Sequence, residues 1–170
     1  MRLGTADICD RYQDVIQVVS PVFKSYGGCS SVGARVETLK IKCNDSAFSE
    51  TLKQPGKGRV LCVDAGADQY AVLDHEMAIA AVRNDWRGII VNGYIRHSAH
   101  IKSLPLVVYA LGSCPMKGTE KNEAQSDVVL SFDGLTIEPG MQVYADEDGV
   151  LLSPRAFPEF HYDFNVSFSY

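Results

Sequence analysis

Three runs, "RVLCVD" (59–64), "GIIVNG" (88–93) and "PLVVYALG" (105–112), are short, almost wholly apolar and bounded by Gly or Pro. A strand with one wet face alternates polar and apolar residues, whereas a strand covered on both faces reads as a continuous apolar run. The three runs therefore predict strands buried on both faces. Between the first two lies "LDHEMAIAAVRNDW", in which Met77, Ala78, Ala81 and Val82 recur at helical spacing. Upstream, Thr5 is the expected N-cap of a first helix, "ADICDRYQ", whose early acids suit the helix dipole. "ARVETLKIK" alternates as a strand does, and Asp45 or Ser46 is placed to cap a short helix through Leu52, ended by "QPGKG". The order is β-α-β-α-β with parallel strands, an α/β class.

The pattern changes after "GSCPMKGTEKNEAQ", a polar loop without periodicity. Beyond it the chain alternates strand and turn: "SDVVLSF", Asp133-Gly134, "LTI", Pro139-Gly140, "MQVYA", Asp148-Gly149 and "VLLS". An antiparallel β part is thus expected behind the parallel one, within a single domain over residues 1–153. Residues 154–170 form a C-terminal extension in which Tyr162, Phe164, Val166, Phe168 and Tyr170 stand at every second position. Such a strand has one apolar face that needs cover, so it is expected to join its own sheet or that of a neighbouring subunit.

Composition excludes several classes of function. No apolar run approaches the roughly 18–20 residues of a membrane span, and the start lacks the features of a secretory or transit segment, so a soluble, cytoplasmic protein is expected. The five cysteines are scattered and never spaced C-x-x-C, which reads as small buried thiols rather than a zinc site. The glycines spell neither G-x-G-x-x-G nor a P-loop, so nucleotide binding has no support. A net charge of -5 opposes direct binding of nucleic acid and suits a basic protein partner.

"VNGYIRHSAHI" (91–101) reads as a strand end, a turn at Gly93, then Arg96 and His97. Arg96 either holds a neighbouring carboxylate or binds an anion. His75, His97 and His100 would suit zinc, iron or nickel as imidazole donors, but the plainer reading is of partly exposed polar residues without a ligand. Trp86 reads as a core or helix-end anchor. Tyr144-Ala145-Asp146 reads as a strand-end turn.

The stretches "TADICDRYQ", "PVFKSYGG", "GKGRVLCVDAG", "AAVRNDWRGIIVNGYIR", "SDVVLSFDGLTIEPG" and "VYADEDGVLLS" together resemble the regulator of ribonuclease activity A family (RraA-like). That family is related to the class II 4-hydroxy-4-methyl-2-oxoglutarate aldolases. The resemblance implies a swivelling β/β/α-type domain and a homotrimer with clefts between subunits. In the enzymes it implies a 2-keto acid and a divalent metal held by a Gly-rich loop, an Asp, and an Arg-Asp pair. Here Arg96 is kept, but His97 follows it, and the Asp expected 21 residues before the arginine falls on His75, with Asp74 displaced by one. The loop reads "AGADQYA", where Gly66 remains and Asp68 would repel a substrate carboxylate. The cleft is thus expected to be lined by Gly66, Asp68, Asp74, His75, Gly93, Arg96 and His97, with no catalytic residue, no metal and no cofactor, and with Arg96 a remnant of substrate binding. The implied function is non-catalytic inhibition of a ribonuclease by binding protein partners, among them DEAD-box RNA helicases. The alternative is a metal-dependent lyase acting on 4-hydroxy-4-methyl-2-oxoglutarate or oxaloacetate. A demethylmenaquinone methyltransferase, another name this family has carried, is rejected for want of a nucleotide loop.

Overall fold

A computed structural model describes residues 3–42, 45–119 and 123–160. The chain runs α1 (Thr5–Tyr12), β1 (Gln17–Val18), β2 (Lys24–Ser25), β3 (Val32–Lys40), α2 (Asp45–Leu52), β4 (Val60–Asp64), β5 (Ala71–Leu73), α3 (His75–Arg83), β6 (Gly88–Ile95), α4 (Ser98–Ile101) and β7 (Val107–Ser113). It continues with β8 (Gln125–Ser126), β9 (Leu130–Phe132), β10 (Leu135–Ile137), β11 (Gln142–Asp146) and β12 (Gly149–Ser153). One mixed sheet has the order β1-β12-β11-β3-β4-β6-β7-β2, with β5 added beside β6 and β8 beside β3.

The nine residues of β3 join the two halves. Val32–Arg35 pair antiparallel with β11, and Val36–Lys40 pair parallel with β4. Strands β3, β4, β6 and β7 are successive parallel neighbours, linked through α2, α3 and α4, and the β11–β12 hairpin closes on the other side, as expected for an α/β domain of this type.

The apolar runs have the predicted cause. Leu61, Val63, Ile89 and Val91 point to the helical side, where they pack with Phe48, Leu52, Met77, Ala78, Ala81 and Trp86. Val60, Cys62 and Ile90 point the other way, into a core shared with Phe132, Val143, Val150 and Leu152. A smaller cluster, Ile8, Tyr144, Leu151, Phe157 and Phe160, folds residues 157–160 back onto α1 and the hairpin. Trp86 is a core anchor as expected, its Nε1 donating to the Gln54 carbonyl at 3.0 Å. Among the described residues no helix is long and apolar enough to cross a membrane.

Local expectations needed correction at several points. Thr5 does not cap α1: the N-cap is Gly4, whose N–H donates to Asp7 Oδ2 at 2.8 Å. The Thr5 hydroxyl and N–H instead both donate to the buried carboxylate of Asp146, each at 2.6 Å, because this long-range partner at the end of β11 outcompetes a local one. Tyr144, Ala145 and Asp146 are therefore strand residues that hold α1 down, and the turn comes after them. Gly93 makes no turn. It is buried within β6, where an added Cβ would lie 3.1 Å from the Ala65 Cβ, so close packing rather than chain reversal explains the glycine. The aromatic strand expected at 162–170 lies outside the described residues, as do the side chain of Asp45 and its capping role.

Candidate functional site

Ligand crevices in parallel sheets form at the carboxyl ends of the strands, and here those ends carry the polar residues. The short β5 lies parallel beside β6 with Leu73 opposite Ile95. This register sets Asp74 beside Arg96 and His75 beside His97, so two pairs of residues distant in sequence become neighbours. The Arg96 N–H donates to the Leu73 carbonyl at 2.9 Å, locking the two strand ends together.

Asp74 has two roles. Its Oδ1 accepts the Met77 N–H at 3.0 Å as the N-cap of α3, while its Oδ2 lies 3.8 Å from Arg96 Nη2. Both side chains are only partly exposed, so the nearby carboxylate offsets part of the positive charge that Arg96 would offer an anion. His97 stands at φ 57, ψ 38, a left-handed conformation that ends β6 and opens α4. The reversal in the "NGYIRH" stretch is therefore at His97, several residues beyond the glycine that sequence suggested.

The His97 Nδ1 lies 2.9 Å from His75 Nδ1, with the two rings edge to face, and the His100 ring centroid is 5.3 Å from that of His75. His75 Nε2 lies 3.1 Å from Glu76 Oε1. A carboxylate there favours the His75 tautomer with its proton on Nε2, in which Nδ1 accepts from His97 Nδ1–H. Glu76 was missed in sequence because an exposed acid in a first helical turn is commonplace.

The loop after β4 is held by a pair of residues that sequence reasoning also passed over. Asp64 and Asn92 sit opposite one another in register near the ends of β4 and β6, and Asn92 Nδ2 donates to Asp64 Oδ1 at 3.0 Å. The same oxygen accepts the Gly66 N–H at 3.1 Å. Gly66 and Ala67 come next with φ of 77 and 59, so the chain turns tightly away from the strand and glycine fits the first of these positions. The signal available was two polar residues ending apolar strands. Asp68 lies on the exposed part of this loop, in the wall of a hollow of about 430 Å³ with Lys42, Tyr70, Met116 and Lys117; Arg96, His75 and His97 are not in that wall. A larger hollow of about 620 Å³ runs between α2 and α3 and reaches Asp74 and Glu76, again without Arg96 or the two histidines.

Of the residues expected to line a cleft, the structure brings together Asp74, His75, Arg96 and His97. Gly66 is exposed on the loop after β4 and bonded to Asp64, Gly93 is inside β6, and Asp68 faces a different hollow. The donor set does not fit Mg²⁺, which takes oxygen ligands in near-octahedral array: two imidazoles occupy the pair of positions, and the carboxylate of Asp74 is committed to the helix cap and Arg96. Among the described residues no group of three or more His, Cys, Asp or Glu is arranged to hold a metal ion.

Fold and site define a mixed-sheet α/β protein with an arginine at the end of a central parallel strand. The chain belongs to the RraA-like family, described as Aldolase/RraA, which it matches over residues 5–152. An Aromatoleum aromaticum protein named "Putative 4-hydroxy-4-methyl-2-oxoglutarate aldolase" is 42% identical over 154 residues, covering 90% of this chain and 97% of that one. Among solved structures, the RNA-processing inhibitor RraA from Thermus thermophilis superposes with a TM-score of 0.84 at 33% identity, over 91% of this chain and 94% of that one. A Geobacillus kaustophilus protein described as an S-adenosylmethionine:2-dimethylmenaquinone methyltransferase gives the same TM-score at 37% identity, over 91% and 96%.

Proposed function

We propose that this chain is a non-catalytic regulator of RNA processing that restrains a ribonuclease by binding protein partners. The observation that carries the reading is the His75–His97 pair: where keto-acid cleavage calls for acidic metal ligands, two imidazoles are hydrogen-bonded to each other beside an arginine already facing Asp74. Stabilising the enolate left by carbon-carbon cleavage requires uncompensated positive charge aimed at its oxygen. This arrangement offers less of it. The likeness to the Thermus inhibitor supports a regulatory role. The net charge of -5 supports a basic partner, such as the RNA-binding segments of a degradosome-type endoribonuclease or a DEAD-box helicase. The protein acts in the cytoplasm as a homotrimer, an acidic body occupying positively charged stretches that RNA would otherwise hold.

The second reading is a lyase on 2-keto acids, favoured by the names of relatives at 42% identity and by the presence of Arg96 at the strand end. In it, Arg96 would hold the substrate carboxylate and Asp74 would orient the guanidinium. Methyl transfer has no such support, since the glycine-centred loop at the strand ends, at Gly66, is tied to Asp64 and opens no helix.

The test is binding of an Arg-rich ribonuclease segment at increasing ionic strength. Affinity is expected to fall steeply with salt, because exposed charges are screened beyond about 10 Å at 0.1 M. Binding that persists unchanged at high salt, or tight binding to bare RNA, would overturn the reading.

A further inference from the structure

The outer edge of β1 is both unpaired and apolar. β1 ends the sheet and, among the described residues, pairs with β12 alone. The Val19 N–H donates to the Val150 carbonyl at 2.9 Å, and bonded residues alternate along an antiparallel pair, so the N–H and C=O of Val18 point outward from the sheet. β10 does not close this edge: the N–H and C=O of Thr136 are both paired with the Gln17 side chain, at 2.8 Å each, and not with the backbone of β1. Val15, Val18 and Val22 are 48%, 61% and 51% exposed, so the free edge coincides with an apolar strip. Such an edge is a template for pairing with another strand.

We infer that the occupant is residues 161–170 of the same chain, which add a strand along β1 and cover these valines. Tyr162, Phe164, Val166, Phe168 and Tyr170 stand on one face of that strand, with His, Asp, Asn and Ser between them on the other. The point of departure is already held beside the edge. Phe160 is buried in one cluster with Tyr144, Leu151 and Phe157, and Leu151 is the residue opposite Val18 in the β1–β12 pair. Cross-strand partners share a face, so Val18 projects on the side where Phe160 packs. Ile16, two residues earlier, packs against the same cluster. Ten extended residues span about 33 Å, enough to run along residues 15–22. With no linker between Phe160 and the tail, pairing within the chain has the advantage of effective concentration over pairing with a second copy. Cover of β1 in this way also withdraws the edge from other chains.

The test is hydrogen exchange at single-amide resolution on the full-length protein, on a chain ending at Phe160, and on the full-length double variant Phe164→Ser, Phe168→Ser. In the full chain the Val18 amide should exchange slowly, and in both altered proteins at least about 10-fold faster, with the amides of β4 and β6 unchanged as the internal control. Val18→Lys, which sets a charge on the covered face at an exposed position, should speed exchange of the amides of residues 162–169 by a similar factor. Light scattering should give the same number of chains per assembly for the full and the shortened protein. Equal exchange at Val18 in all three proteins would overturn the inference. So would a smaller assembly for the shortened chain, which would put the tail on a neighbouring subunit instead. Neither outcome bears on whether a ribonuclease is bound, so the regulatory reading stands or falls separately.

Discussion

Removing the Phe157 ring is the sharpest test of how the segment after β12 is held on α1 and the β11–β12 hairpin. The ring is 1% exposed, stacks on Tyr12 with centroids 3.9 Å apart and planes 7° apart, and lies 5.9 Å from the Tyr144 ring. Its N–H donates to the Tyr144 hydroxyl at 2.7 Å, and Tyr12 bonds to Glu159 just beyond it. Phe-to-Ala changes in packed cores cost about 3–5 kcal/mol. The lower end applies, because Phe157 lies outside the sheet on the segment after β12, which can move away rather than enclose a cavity. With an unfolding entropy of about 2.1 cal/mol/K per residue, the 170-residue chain loses roughly 8 °C of Tm for 3 kcal/mol. Thermal unfolding followed by circular dichroism reads this directly. Tyr144→Phe, which removes only the hydroxyl bond, should cost about 1 kcal/mol. A Phe157→Ala shift below about 3 °C would refute the reasoning and favour a domain whose stability ends at Ser153.

Other perturbations address the strands and the site. Gly93→Val should destabilise by about 1–3 kcal/mol through crowding against Ala65, seen as a lower urea midpoint with the same slope. Burial pushes the Cys62 thiol up to about 12, so it should resist thiol reagents in the native state. Because the folded pKa is raised, its contribution to stability is intact below the unfolded value and is lost as pH climbs from there towards 12, at up to about 1.4 kcal/mol per pH unit; denaturant titrations at pH 8 and pH 10 should show the fall. The double change His75→Asp, His97→Asp should create Mg²⁺ binding measurable by calorimetry, since it restores oxygen donors beside Arg96.

Burial decided how much of the fold was legible in the sequence. Strands β4, β6 and β7 could be read because cover on both faces leaves an unbroken apolar run. Ala71–Leu73 could not, since three residues carry no periodicity, yet this short β5 is what delivers Asp74 and His75 to Arg96 and His97. Arg96, His75 and His97 were found by motif, but their mutual contact depends on the Leu73–Ile95 register, a long-range fact that local pattern does not encode. Gly93 was misread because a glycine near a strand end resembles a turn, and its real reason, the approach of Ala65, lies in the neighbouring loop. Asp64 and Asn92 escaped notice because their partners are each other and a backbone N–H.

The most direct measurement of whether this site is catalytic is pyruvate release from oxaloacetate and from 4-hydroxy-4-methyl-2-oxoglutarate by the pure protein, with Mg²⁺, Mn²⁺ and Zn²⁺ supplied in turn. The hydrogen-bonded imidazole pair and the Asp74-faced Arg96 predict rates no higher than those of the free metal ions. Metal-dependent turnover well above that background, and abolished by Arg96→Ala, would contradict the account.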